Sequence, residues 1–126
     1  MVDVDKQIQY WQNGSDEDLA TATYLLAGKK TRPALFYAHL ALEKLLKSQV
    51  CKTTRDLAPR IHNLRRLAGL AKLEPCREHL EILARMSEFN IEGRYPEMLP
   101  APPTQKEAAH YMNQAKEVFE WLRHKL

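Results

Sequence analysis

The segment from residue 34 to 47 constrains the fold more than any other part of the sequence. It consists almost wholly of good helix formers, and Pro33 suits the first turn of a helix. His39, Glu43 and Lys47 recur four residues apart and form a polar stripe. A broad apolar stripe runs beside them, formed by Leu35, Ala38, Leu42, Leu45 and Leu46. This pattern predicts a long amphipathic helix that buries its apolar face against other helices.

The rest of the chain repeats the helical spacing and shows no convincing period of two. The first predicted helix ends at Gly28, and Asn13-Gly14-Ser15 either bends it or is carried through by packing. Shorter helices are predicted over residues 61–70 and from residues 74–75 toward Gly93. A last helix is predicted after Thr104, whose capping box would be completed by Glu107, and loops are predicted at 52–59 and 96–103. The fold class is therefore all-α, an up-and-down bundle of four to five helices.

The 126 residues are the length of one domain, so residues 1–126 are expected to form a single unit. With 44% hydrophobic and 28% charged residues, the chain is globular and can bury a core without disulfides or metals. Cys51 and Cys76 have no metal-like spacing and are expected to be free thiols in a reducing compartment. Neither a signal segment nor a run of eighteen apolar residues is present, which predicts a cytoplasmic protein without a membrane span.

Charge is distributed unevenly along the chain, although the formal net charge is only +3. Between residues 44 and 66 there are seven lysines and arginines against Asp56 alone. The middle of the chain is therefore a candidate anion site. No Gly-rich phosphate loop, Cys/His zinc set or nucleophile–base pair is recognisable, so neither a metal nor another cofactor is expected.

Several phrases of the sequence, in order, resemble the HEPN family. The second-helix phrase over residues 36–47 resembles the family's His-x-x-x-Glu-Lys-x-x-Lys signature, and residues 89–96 resemble its most distinctive phrase. The remaining parallels are Tyr10-Trp11 with Asp18-Leu19 and Ala22, His62-x-Leu64-x-x-Leu67, and Ala115-x-x-x-Phe119-x-Trp121-Leu122. Each phrase is weak alone, but together they span nearly the whole chain.

The resemblance implies a helical bundle that usually dimerises. Many HEPN members are encoded beside a small nucleotidyltransferase, in pairs that resemble toxin–antitoxin modules. Some members are metal-independent ribonucleases, and others are non-catalytic domains that bind nucleotides or partners. The nucleases carry an Arg-x4-6-His motif near the later helices, in which the histidine would serve acid–base roles and the arginine would stabilise phosphate charge.

This sequence departs from the nuclease pattern at the decisive place. The histidine that follows Arg94 is His110, which is too distant for the motif. Arg32 and His39, like Arg55 and His62, are separated by six residues, but these pairs lie in the wrong part of the family's layout and about one match is expected by chance. A non-catalytic role is therefore favoured, and His39 and His62 are the candidate catalytic residues if the chain is an enzyme.

The polar stripe of the second helix has two interpretations. His39, Glu43 and Lys47, with Lys44 beside them, could line a phosphate-binding groove. Alternatively, they form a solvated ion-pair stripe that contributes a few tenths of a kcal/mol. The apolar neighbours of His39 suggest partial burial, which favours a structural histidine hydrogen-bonded to another helix.

A second candidate is His62, which is followed by Arg65 and Arg66 at the predicted start of the third helix. The amides of that helix start, with Arg60 nearby, would suit an anion. An equally weighted alternative is that the imidazole closes the preceding loop.

The third candidate consists of Asn90, Arg94 and Tyr95, in which Arg94 would share a helical face with Asn90 if the helix persisted. Its guanidinium could fork to a phosphate. A clamp on the proline-rich segment, made by pairing Arg94 with Glu43 or Glu92, is slightly favoured. Trp11, Phe119 and Trp121 are expected to be core or dimer contacts.

The family resemblance, taken together with these residues, implies three possible functions. The first is a nucleotide- or RNA-phosphate-binding homodimer that acts with a small nucleotidyltransferase in a toxin–antitoxin-like module. The second is a metal-independent ribonuclease toxin that uses His39 or His62. The third is a structural adaptor bundle. The first two require distant cationic side chains to meet at one water-accessible site.

Overall fold

The computed structural model describes residues 2–126 and is helical. No strand occurs in that part of the chain, and the predicted all-α bundle is confirmed. The helices, in chain order, are α1 (Val4–Ala27), α2 (Thr31–Thr54), α3 (Leu64–Leu70), α4 (Arg77–Ser87) and α5 (Gln105–His124), with a single 3-10 turn at Pro96–Met98. Over residues 2–126, no helix combines the length and the apolar character that crossing a membrane requires.

Helix α2 forms the centre of the bundle. It packs against α1, α3, α4 and α5, and its apolar stripe is fully buried as the sequence predicts. The buried glutamine Gln49 donates its side-chain N–H to the carbonyl oxygen of Leu122 at 2.7 Å and so ties α2 to α5. Any side chain on the core side of α2 is therefore held between several neighbouring helices.

Helix α1 runs without a break through Asn13-Gly14-Ser15, which answers the question that the sequence left open. The hydroxyl of Ser15 is buried and donates to the carbonyl of Gln12 at 2.7 Å, within the helix itself. At Gly14 the side chain of Lys44 crosses so closely that an added Cβ would lie 3.1 Å from its Cδ. Tertiary packing against α2 thus carries the helix through a sequence that favours a turn.

Four predicted boundaries differ from the structure. Helix α4 begins at Arg77 rather than at residues 74–75. Helix α2 continues to Thr54, into the predicted loop, and ends where Arg55 adopts a left-handed conformation with φ of 55°. Helix α3 begins at Leu64 rather than at residue 61, because the Asn63 side chain caps it by accepting from the Arg66 amide at 3.0 Å. Helix α4 ends at Ser87, well before Gly93.

The last helix begins as its sequence predicts. The Thr104 hydroxyl accepts from the Glu107 amide at 3.1 Å, and the Glu107 carboxylate accepts from the Thr104 amide at 2.9 Å. This reciprocal capping box fixes where the proline-rich segment enters α5.

Candidate functional site

A buried carboxylate, Glu43 of α2, lies at the centre of the candidate site. Its residue exposure is 4%. Its Oε1 atom lies 3.0 Å from Nδ1 of His62 and 3.2 Å from Nε2 of His39, and its Oε2 atom accepts from Nζ of Lys47 at 3.1 Å. We call these four residues the Glu43 cluster. The helical repeat accounts for three of them, because residues four apart on α2 share a face.

The prediction that His39, Glu43 and Lys47 form a solvated stripe is wrong, because these side chains are buried. His39 is 0% and Lys47 is 6% exposed. The predicted contact of His39 with another helix is also wrong, since its charged neighbour is Glu43 on the same helix. His39 is therefore structural in its placement. Neither ring nitrogen makes a hydrogen bond of good geometry to any residue in the range 2–126, although Nε2 lies 3.2 Å from the Glu43 carboxylate.

His62 differs from His39 because it joins the cluster from outside α2 and keeps contact with solvent. It lies in the segment between α2 and α3, and 57% of its side chain is exposed. With Nδ1 on Glu43, the opposite nitrogen of the ring, Nε2, is the one available to another molecule. His62 is thus the member of the Glu43 cluster that an external ligand can reach.

Trp11 of α1 covers the lysine of the cluster. The ammonium of Lys47 lies 5.3 Å from the centroid of the Trp11 ring, within cation–π distance. The indole N–H is buried and has no acceptor among residues 2–126. The sequence predicts that Trp11 is a core or dimer contact, and it does not predict the contact of Trp11 with the Glu43 cluster. The sequence offers one signal for this contact, namely the helical spacing that predicts both α1 and α2.

Lys44 is not part of the Glu43 cluster. Its ammonium lies 2.8 Å from Oδ2 of Asp18 on α1, and 28% of its side chain is exposed. Both lysines of the predicted groove therefore already face a carboxylate, Lys44 that of Asp18 and Lys47 that of Glu43.

Within residues 44–66, the basic residues that form no ion pair with a described residue are exposed. In the described part of the chain, Arg55 pairs with Asp5 at 3.1 Å, whereas the lysine and the other arginines between residues 52 and 66 form no ion pair. These exposed residues are Lys52, Arg60, Arg65 and Arg66. The basic excess between residues 44 and 66 thus includes three exposed arginines that lie within four residues of His62 in the sequence.

The amides at the start of α3 are not open to an anion in the way the sequence suggested. The Leu64 amide donates to the hydroxyl of Ser87 at 3.1 Å, and the Arg66 amide donates to Asn63 at 3.0 Å. A helix of seven residues also has little dipole to offer. Any anion near His62 would be held by side chains.

The structure does not bring Asn90, Arg94 and Tyr95 to the Glu43 cluster. Because α4 ends at Ser87, the predicted helical face shared by Asn90 and Arg94 does not exist. The Arg94 guanidinium donates to the carbonyl of Glu88 at 3.3 Å, and the predicted pairing with Glu43 or Glu92 is not formed. Tyr95 is 68% exposed.

Neither arginine–histidine pair with nuclease-like spacing is assembled. Arg32 donates to the backbone carbonyl of Pro100, and Arg55 donates to Asp5 at 3.1 Å. Their partners by spacing, His39 and His62, instead contact Glu43. Within residues 2–126, no group of three or more acidic, histidine or cysteine side chains is arranged to hold a metal ion.

Glu43 is held in its charged form. Burial alone would raise the pKa of this carboxyl group, but the contacts from His39, His62 and Lys47 outweigh it and lower the pKa from 4.5 to about 2. Glu43 therefore stays negatively charged across the whole neutral range, and this charge attracts His39, His62 and Lys47.

We predict that this charge makes folding sensitive to acid. Because the pKa of Glu43 is lower in the folded chain than in the unfolded chain, its contribution is present above pH 4.5 and is lost as the pH falls toward 2. The lowering corresponds to about 3 kcal/mol of unfolding free energy. Urea unfolding of wild type and Glu43→Gln should be measured from pH about 6 to about 2. The difference in unfolding free energy between the two proteins should shrink by about this amount as the pH falls.

Glu81→Gln is the matched control, because Glu81 pairs with Arg77 at the surface with 64% of its side chain exposed. Its difference from wild type should change little over the same range. Parallel pH profiles for wild type and Glu43→Gln would contradict the assignment of a charged, stabilising Glu43.

Comparison with known proteins identifies the family. The family model of the HEPN domain matches residues 8–125. TT1696 from Thermus thermophilus has a similar crystal structure, with a TM-score of 0.78, 24% identity, and coverage of 95% of this chain and 98% of that one. ST0689, an archaeal HEPN homologue, matches with a TM-score of 0.73, 21% identity, and coverage of 94% and 96%. Among curated proteins, no sequence matches. The chain belongs to the HEPN family.

Proposed function

We propose that this HEPN chain is a cytoplasmic homodimer that binds phosphate groups of a nucleotide or an RNA. In this proposal residues 1–126 form one domain, and the dimer works with a small nucleotidyltransferase subunit in a module resembling toxin–antitoxin pairs. Family membership supports the general type of protein. The phosphate-binding role depends on the chain's own residues, and the partner and the dimer follow from what the family resemblance implies.

The observation that carries the proposal is the placement of His62. A carboxylate on Nδ1 fixes the orientation of an imidazole, and here the rest of the ring is exposed. A phosphate oxygen could accept from Nε2 when the ring is protonated, while Glu43 holds the opposite nitrogen. Lys47 and His39 would act through Glu43 rather than on the ligand.

The surrounding charge supports the same surface. Arg60, Arg65 and Arg66 are exposed near His62 in sequence and form no ion pair within residues 2–126. Guanidinium groups that are not committed to carboxylates are available for phosphate oxygens. Lys44 is paired with Asp18, and Arg94 donates to the carbonyl of Glu88, so neither they nor Asn90 and Tyr95 are assigned a phosphate contact at this surface.

We predict that single-stranded RNA binds this surface with a strong dependence on salt. The anisotropy of a fluorescein-labelled oligouridine, titrated with protein at several salt concentrations, gives the slope of log K against log salt. Arg65→Gln combined with Arg66→Gln should weaken binding and reduce the magnitude of the slope by about 0.7 for each phosphate that is no longer neutralised.

The control is Lys6→Gln combined with Lys106→Gln, which removes two exposed positive charges elsewhere. This pair should leave the slope nearly unchanged. Equal weakening by the two double variants would mean that only net charge matters. No RNA binding, together with a thermal midpoint unmoved by ATP or GTP, would favour the structural adaptor instead.

A metal-independent ribonuclease is the second candidate, and the pairing of His62 with Glu43 favours it. A histidine held by a carboxylate with its other nitrogen exposed has the arrangement of an acid–base group. Arg32 and Arg55 bind a carbonyl and Asp5, so neither acts with the histidine that its spacing pairs it with, and in this candidate function an arginine from across a dimer takes that role.

We predict that total RNA incubated with the purified protein in EDTA stays intact. His110, which is exposed and outside the Glu43 cluster, supplies the control variant. Cleavage that disappears in His62→Ala or His39→Ala and persists in His110→Ala would replace the binding role with a catalytic one.

A further inference from the structure

A cavity of about 450 Å³ lies away from the Glu43 cluster, where the end of α4, the proline-rich segment and the start of α5 meet. One wall is aromatic, with the rings of Phe89 and Tyr111 at a centroid distance of 5.5 Å. Ile91 and three prolines at 100, 102 and 103 complete the apolar lining. Its volume is in the range of ordinary ligand-binding clefts.

The proline-rich wall of the cavity is fixed from both sides. The guanidinium of Arg32 on α2 donates to the carbonyl of Pro100. The side-chain amide of Gln105 donates to the carbonyl of Leu26 at 2.8 Å, so the start of α5 is tied to the end of α1. Because the cleft is fixed in this way, binding of a ligand costs it little conformational entropy.

The charged groups in the lining favour a positive guest. Glu88 and Glu107 both line the cavity, and hydrogen bonds from the Thr104 backbone and hydroxyl lower the pKa of Glu107. The opposing charge is Arg32, which is already committed to the carbonyl of Pro100. Glu88 forms no salt bridge with any described residue, and the Arg94 guanidinium beside it donates to its backbone carbonyl rather than to its carboxylate.

Arginine fits this lining better than lysine does. A planar guanidinium can stack on an aromatic ring and fork to a carboxylate at the same time. The protein already shows such a contact with the same ring, because the Arg85 guanidinium lies 5.5 Å from the Tyr111 centroid. Arg85 itself lies outside the cavity lining.

The segment that leads into the proline-rich wall exposes residue types that are common in protein-binding surfaces. Tyr95 and Met98, on the segment that leads into the proline-rich wall, are 68% and 66% exposed. Tyrosine, methionine and arginine are the residue types enriched where proteins meet, and arginine anchors commonly fill pockets. A polypeptide could cover these side chains while one of its arginines enters the cavity, which a free small molecule could not do.

We propose that this cavity is the docking site for an arginine side chain of a partner polypeptide. The guanidinium stacks on the Phe89–Tyr111 wall and pairs with Glu88, with Glu107 beside it. The apolar stem lies along the prolines. This site is separate from the Glu43 cluster, and its occupancy does not depend on phosphate binding there.

The test uses the full chain labelled with ¹⁵N and the probe peptide acetyl-Leu-Arg-Leu-amide. We predict saturable shifts of the backbone amides of Phe89, Ile91 and Tyr111. Acetyl-Leu-Gln-Leu-amide and free L-arginine should bind at least several-fold more weakly. Glu88→Gln should raise the Kd of the arginine peptide about two- to fivefold, as expected for one exposed ion pair.

Glu74→Gln is the matched control, since Glu74 is exposed and lies outside the cavity lining. This variant should leave the Kd unchanged. The proposal is overturned if the arginine peptide shifts none of these amides, or if the glutamine peptide binds equally well. Free L-arginine binding as tightly as the peptide would overturn the polypeptide as its source, and equal effects of the two variants would overturn the role of Glu88.

Discussion

A carboxylate buried in the middle of a helical bundle must be compensated, and the compensation of Glu43 organises much of this protein. An ionised group that lost its water without gaining partners would cost several kcal/mol. Here Lys47 takes one oxygen, and the two histidines share the other. Trp11 then covers the lysine. The interaction of one side chain thereby ties α1, α2 and the α2–α3 connection together.

Ion pairing distinguishes the cationic side chains that stabilise the fold from those that are available to a ligand. Lys44 and Lys47 belong to the helix stripe that first suggested an anion site, yet each faces a carboxylate. The exposed arginines around α3 do not. His62 belongs to both groups, because it contacts the buried carboxylate and also reaches solvent. In the proposed function, the cluster supports the phosphate-binding surface without being that surface itself.

The sequence predicted what depends on neighbours along a helix and missed what depends on distant chain segments. The stripe of α2, the capping box of α5 and the all-α bundle follow from local spacing, and all are present. The contact between His62 and Glu43 depends on the position of the loop between α2 and α3. The helical face that was expected to carry Arg94 does not form, because α4 ends at Ser87. Helix α1 continues through Gly14, where the side chain of Lys44 packs against it. This tertiary contact cannot be predicted from the residues next to Gly14 in the sequence.

The most direct test of the account is the tautomer of His62, measured by long-range ¹H–¹⁵N correlation at a pH where the ring is neutral. Because Glu43 can only accept, a hydrogen bond at 3.0 Å requires the proton on Nδ1. The account predicts the Nδ1–H form in wild type and a shift away from it in Glu43→Gln. A ring that carries its proton on Nε2 in both proteins would contradict the central role of this carboxylate.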